Sequence, residues 1–137
     1  LIVVVDASVA VKWFIHEPGR PAARRLLEPE SRLIAPDLIV AEVASAMWKR
    51  AMAGEGDARQ APLSAGSLSR FFARLVPLAP LAARAVEIAS ELRHPVYDCF
   101  YLALTEREDA TLVTADRRLI GRLAGSRWET LCTSLVA

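Results

Sequence analysis

The stretch LIVVVDASVA, residues 1–10, decides how the rest of the chain is read. Five aliphatic residues run unbroken from Leu1 to Val5 and then meet Asp6. A continuous aliphatic run, in contrast to an alternating one, marks a strand buried on both faces, and such strands belong to parallel sheets with helices on either side. The same signature recurs in RLIAP (32–36) and TLVT (111–114). A shorter strand is expected at 75–78, and WETLCT (128–133) reads as an edge strand.

Helical stretches lie between these strands. ASVAVKWF follows Asp6, and PGRPAARRLLE gathers Ala22, Ala23, Leu26 and Leu27 on one face. PDLIVAEVASAMWKRAM is opened by Pro36 and Asp37 and stopped near Gly54. SAGSLSRFFARLV, PLAARAVEIASELR, VYDCFYLALTERE and DRRLIGRLAG complete the set. Strands alternating with helices imply an α/β fold with a parallel sheet covered on both sides. GEGDARQAPLSAG (54–66) is turn-rich and reads as a surface loop within a helical arm, so residues 1–137 are expected to form a single domain.

With 53% hydrophobic and 24% charged residues, the chain is neither disordered nor fibrous. No apolar run approaches the roughly 20 residues that cross a bilayer, and the opening run is too short, and lacks the basic flank, for a signal peptide. A cytoplasmic location is therefore expected. Leu1 is not a start methionine, so a residue or two is expected to precede it. Cys99 and Cys132 have no ligand-like spacing and read as buried apolar thiols in a reducing compartment, without a structural zinc site. The net charge of +1 does not by itself point to nucleic acid. The basic residues are nearly all arginine, which suits phosphate recognition but also follows from genomic base composition.

Most acidic residues, among them Glu28, Glu30, Glu106 and Glu108, fall where solvated charges belong. Four do not. Asp6 ends the first strand and Asp116 follows TLVT; if both strands are parallel, both carboxylates face the sheet edge where ligands bind, although each also reads as an N-cap. Glu42 has Leu38, Ile39, Ser45 and Ala46 as its helical neighbours, a face expected to be buried, where a lone carboxylate is costly without a partner. A distant arginine is one such partner. Asp98 falls in the first turn of a helix, where the dipole alone favours it. Taken together, the four suggest carboxylates converging on one edge. Like charges that close call for a cation, and an all-oxygen donor set selects Mg²⁺ or Mn²⁺ over zinc. Such a site suits phosphodiester hydrolysis.

VDASVAVKWF, AEVASAMWKR, YDCFYLALTE and VTADRRL, in that order, resemble a PIN domain, and most closely the VapC-type toxins of toxin–antitoxin pairs. The resemblance spans essentially the whole chain. It implies a three-layer α/β/α sandwich around a parallel sheet of four or five strands. It also implies a Mg²⁺- or Mn²⁺-dependent endoribonuclease that cuts a tRNA or ribosomal RNA with metal-activated water. Asp6, Glu42, Asp98 and Asp116 match the family's acidic quartet, with Asp6 and Asp98 as main metal ligands and Asp116 acting through water. Ser8 and Thr114 match its supporting hydroxyls.

The resemblance further implies a VapB-type antitoxin laid in an apolar groove, and a homodimer. Trp13, Phe14, Met47, Trp48, Phe71 and Phe72 are aromatic and apolar residues to spare, at least two of which are expected at a groove or dimer seam. The adjacent rings of Phe71 and Phe72 are not expected to share one helix face. Lys12, Arg117 and Arg118 lie close in sequence to Asp6 and Asp116 and are expected near phosphates, with Lys49 and Arg50 two turns beyond Glu42. His16 and His94 read as structural or exposed. A haloacid-dehalogenase-type phosphatase needs a second aspartate where Ser8 stands, and a receiver domain needs a late lysine where none follows Lys49. The remaining alternatives are a PIN nuclease of RNA processing without an antitoxin and a non-catalytic PIN-like binding module.

Overall fold

The computed structural model describes residues 1–135. Their strands are β1 (Ile2–Val5), β2 (Arg32–Pro36), β3 (Arg74–Val76), β4 (Thr111–Thr114) and β5 (Cys132–Ser134). The helices are α1 (Ala7–Ala10), α2 (Arg20–Arg25), α3 (Leu38–Met52), α4 (Gln60–Ser67), α5 (Ala82–Leu92), α6 (Val96–Arg107) and α7 (Arg117–Leu123). The strands form one sheet in the order β3-β2-β1-β4-β5, every neighbouring pair parallel.

β1 is the central strand because it is the driest. Val3, Val4 and Val5 are all buried, so both faces of the sheet are covered there. β1 pairs with β2 through Val4↔Ile34 and with β4 through Val5↔Val113. The chain leaves β1 towards β2 on one side and later fills the other side with β4. The order therefore reverses between β1 and β4, and at such a switch point the loops diverge and leave a crevice at the carboxyl ends of the strands. α6 packs across β2, β1 and β4 and buries Cys99, Tyr101, Leu102, Ala103, Leu104 and Thr105.

The structure departs from the sequence reading in several places. SAGSLSRFFARLV is not one helix. α4 begins at Gln60, inside the stretch expected as loop, and ends at Ser67, whose hydroxyl bonds back to the Ser64 carbonyl at 3.1 Å. A 3₁₀ turn, Leu68–Phe71, follows, and Phe72 is extended at φ −110°, ψ 139°. The cause is tertiary: β2 offers an unpaired edge, and the Ala73 amide takes the Leu33 carbonyl at 2.8 Å to start β3. That turn brings both neighbouring phenyl rings to one place. Phe71 and Phe72 lie 5.2 and 5.6 Å from the Trp13 ring. Trp13 (3% exposed) and Phe72 (9%) therefore belong to the core and not to a groove or seam. Met47 is also core, Phe14 and Phe71 are half-buried, and Trp48 is exposed.

WETLCT is half strand: Glu129–Leu131 is a 3₁₀ turn before β5. ASVAVKWF tightens into a 3₁₀ turn after α1. Asp37 stands at the start of α3 but its side chain makes no capping bond. Cys99 is buried and Cys132 only half-buried, both as free thiols. Glu106 and Glu108 are not solvated charges. Glu106 accepts Arg84 at 2.8 and 3.0 Å and the Trp128 indole at 2.7 Å, and Glu108 pairs with Arg74. Among the described residues, no helix is long and apolar enough to cross a membrane.

Candidate functional site

Asp6 leaves β1 at the switch point and does two jobs. It is the N-cap of α1, where Val9 N–H donates to its Oδ1 at 3.4 Å. It is also the hub that ties β1 to β4. The Ser8 hydroxyl donates to Oδ1 at 2.5 Å, and the Thr114 hydroxyl donates to Oδ2. Both hydroxyls are themselves held: Ser8 Oγ accepts from Ala115 N–H at 2.9 Å and Thr114 Oγ1 from Asp116 N–H at 3.0 Å. The cap reading and the site reading of Asp6 are therefore one geometry. Asp6 is 6% exposed, and burial lifts its pKa to about 6. The two hydroxyls pull it back down, and the charge of Asp98 raises it further.

Glu42 comes from the second turn of α3. Its face is not buried as expected: Leu38 and Ala46 are half-covered and Ser45 is exposed, because the buried stripe runs through Ile39, Val43 and Met47. Glu42 finds no arginine among the described residues. Its partner is Tyr101, whose hydroxyl donates to Oε1 at 2.5 Å. Burial, and then Asp98, raise the Glu42 pKa, against that hydroxyl. Tyr101 is 1% exposed, and burial followed by the neighbouring Glu42 pushes its phenol well above the ordinary range. It therefore stays a donor at any working pH.

Asp98, in the first turn of α6, sits 2.6 Å from the His94 ring nitrogen through its Oδ2. Asp6, Glu42 and Asp98 thus form one group of like charges. Asp116 stands at the rim: it caps α7, accepting from Arg118 N–H at 2.9 Å and Leu119 N–H at 3.4 Å. No lysine or arginine pairs with any of the four among the described residues.

Among the described residues, no group of three His, Cys, Asp or Glu side chains stands placed to hold a metal ion together. Mg²⁺ keeps several waters and is commonly bound through only one or two carboxylates. The hard oxygen donors, desolvated and mutually repelling, fit such an ion.

Tyr101 and His94 escaped the sequence reading. His94 had a usable signal, since residues four apart meet on a helical surface. Tyr101 had none, because Glu42 is 59 residues away. Of the expected phosphate-binding cations, Lys12 is already committed, donating to Glu17 at 2.9 Å and to the Pro18 carbonyl at 2.8 Å. Arg117 and Arg118 are exposed at the start of α7.

Residues 3–125 match the family model described as PIN domain. The chain is 32% identical over 118 residues to Ribonuclease VapC3 of Pyrobaculum aerophilum, covering 85% of this chain and 90% of that protein. It is 33% identical over 118 residues to Ribonuclease VapC1 of Mycobacterium tuberculosis, covering 85% of this chain and 86% of that protein. In fold it is similar to VapBC2 from Rickettsia felis, solved bound to a DNA fragment from their promoter. That likeness has a TM-score of 0.69 at 15% identity and covers 98% of each chain.

Proposed function

Since this chain belongs to the PIN-domain family, we propose that it is an endoribonuclease toxin of the VapC type, dependent on Mg²⁺ or Mn²⁺ and restrained by a VapB-type antitoxin. The observation that carries the metal-dependent reading is the charge balance at the switch point. The charge of Asp98 raises the pKa of both Asp6 and Glu42, and no lysine or arginine among the described residues pairs with any of the three. Carboxylates in that state hold a divalent ion.

Asp6 and Asp98 would be the main ligands, with Glu42 beside them and Asp116 acting through water from the rim. The ion supplies Lewis-acid polarisation of the phosphoryl group and activation of water. The protein's own part is positioning. Ser8 and Thr114 hold both oxygens of Asp6 in place, and Tyr101 fixes the rotamer of Glu42. Arg117 and Arg118 meet the flanking phosphates of a tRNA or ribosomal RNA. The exposed Trp48, Met52 and Leu63 on the α3–α4 arm support a protein partner, antitoxin or second copy, and the site of action is cytoplasmic.

The test is RNA cleavage by the purified chain in Mg²⁺, Mn²⁺ or EDTA, beside Asp6→Asn and Asp98→Asn. Cutting that needs the ion and disappears in both variants supports the reading. Metal-dependent cutting that survives both substitutions refutes this site.

A further inference from the structure

A groove of about 440 Å³ opens from the acidic site along α3, lined by Leu38, Ala41, Glu42, Ser45, Ala46, Lys49 and Tyr97. The acidic site accounts for Glu42 but not for the rest. Tyr97 is 61% exposed, although it immediately precedes Asp98 in the first turn of α6. Its ring forms one wall. Ala41, Ser45 and Ala46 are short side chains that leave the floor open and flat.

Lys49 closes the far end. Glu42 and Lys49 are seven residues apart on one helix, so they lie on the same face, about 10 Å apart along its axis. Lys49 is exposed and has no ion-pair partner among the described residues. The groove therefore presents, in order from the carboxylates, an exposed aromatic ring over a small apolar floor and then a lone cation.

Resting on the ribonuclease reading, we propose that this groove is a nucleotide subsite for single-stranded RNA, with Tyr97 stacking on a base next to the cut and Lys49 meeting a flanking phosphate. A planar base suits the ring and flat floor, and the next phosphate suits the cation. The groove shares Glu42 with the site, so an RNA strand with its scissile phosphate at Asp6 and Asp98 must pass its mouth. Tyr97 lies outside the metal-binding group and sets which strands bind well, not how the bond is broken.

The experiment uses the Asp6→Asn chain, which is expected to hold RNA without cutting it, and short single-stranded RNAs carrying a fluorescent adenine analogue at successive positions. Affinity is read by anisotropy and stacking by quenching, for Tyr97, Tyr97→Phe and Tyr97→Ala. Cleavage kinetics are read in parallel with Asp6 intact. Tyr97→Ala is expected to weaken binding about ten- to a hundredfold, to abolish quenching at one position and to raise KM far more than it lowers kcat. Tyr97→Phe keeps the ring and stays close to the parent. Lys49→Ala lowers the slope of log affinity against log salt by about 0.7.

Equal RNA affinity in Tyr97→Ala and the parent, while the parent still cuts RNA, overturns the subsite and leaves the ribonuclease reading standing. Loss of antitoxin capture with RNA affinity unchanged assigns the groove to protein and overturns it as well. A chain that neither cuts nor binds RNA sinks both.

Discussion

The two ends of α6 hold carboxylates under opposite regimes. At its start, Asp98 joins Asp6 and Glu42 in a group that no arginine or lysine neutralises among the described residues, and both neighbours have raised pKa values. At its end, Glu106 receives Arg84 through two hydrogen bonds and the Trp128 indole through a third, and its pKa is lowered. Glu91 and Arg127 repeat that matched arrangement nearby. The residue types are the same and the helix is the same; the counterion differs. One end spends its carboxylates on holding the fold together. The other leaves them without a lysine or arginine among the described residues, with Asp6 buried, a cost that a bound cation would relieve.

The sharpest way to break this contrast is Asp6→Asn. RNA cleavage is expected to fall more than about a hundredfold, since even groups that merely orient a metal ligand are worth ten- to a hundredfold. Stability should move the other way. A raised pKa means the folded state favours neutral Asp6, so stability is full below pH 4 and is lost as pH rises through about 6. The metal-free variant should therefore exceed the parent by up to about 3 kcal/mol at pH 8, with the gap closing towards pH 4. Melting curves across that range check it; equal pH profiles would refute the unpaired state of Asp6.

Adding the ion tests the same end directly. Mg²⁺ at a hundred times its Kd is expected to stabilise the chain by about 2.7 kcal/mol, more at pH 8 than at pH 5, and to do little for Asp98→Asn. A melting-temperature rise that ignores pH would place the ion elsewhere.

Glu106→Gln tests the opposite end. It should destabilise by about 1–2 kcal/mol, the range of charge-assisted bonds discounted for partial exposure, with cleavage unchanged. Its lowered pKa fixes the sign: the contribution is present above the ordinary glutamate value of 4.5 and disappears as pH falls below it. Acid therefore weakens this end while relieving the other. Urea melts at pH 7 and pH 3 measure the difference.

Tyr101→Phe is the smallest change. Removing one hydroxyl leaves the packing of α6 intact but frees Glu42, and cleavage is expected to fall about tenfold with little change in melting temperature. A variant that cuts at the parent rate would show that Glu42 needs no positioning.

How much of this was legible depends on the range of the forces involved. The unbroken valines of β1, RLIAP and TLVT are buried strands because their own side chains exclude water on both faces, and that is written locally. Asp6 and Asp116 are capping residues for the same reason: each bonds amides two or three residues on. The early part of VYDCFYLALTERE reads correctly as a helix from its own residues. Motif order carried the family.

Four things were not local. β3 begins where it does because β2 had an open edge, which settled residues 74–76, read both as the end of a helix and as the start of a short strand at 75–78, as strand. The Phe71 and Phe72 rings share one partner because that change of structure lies between them. Glu106 is neutralised by an arginine 22 residues away, and Glu42 by nothing but a phenol 59 residues away. A carboxylate's solvation, and so its charge state, is set by whatever the fold places within a few ångströms. The sequence by itself determined which segments are strands and which acids follow them; only tertiary structure decided which acids are paired and which are left in need of a cation, because ion pairing depends on distance through space and not along the chain.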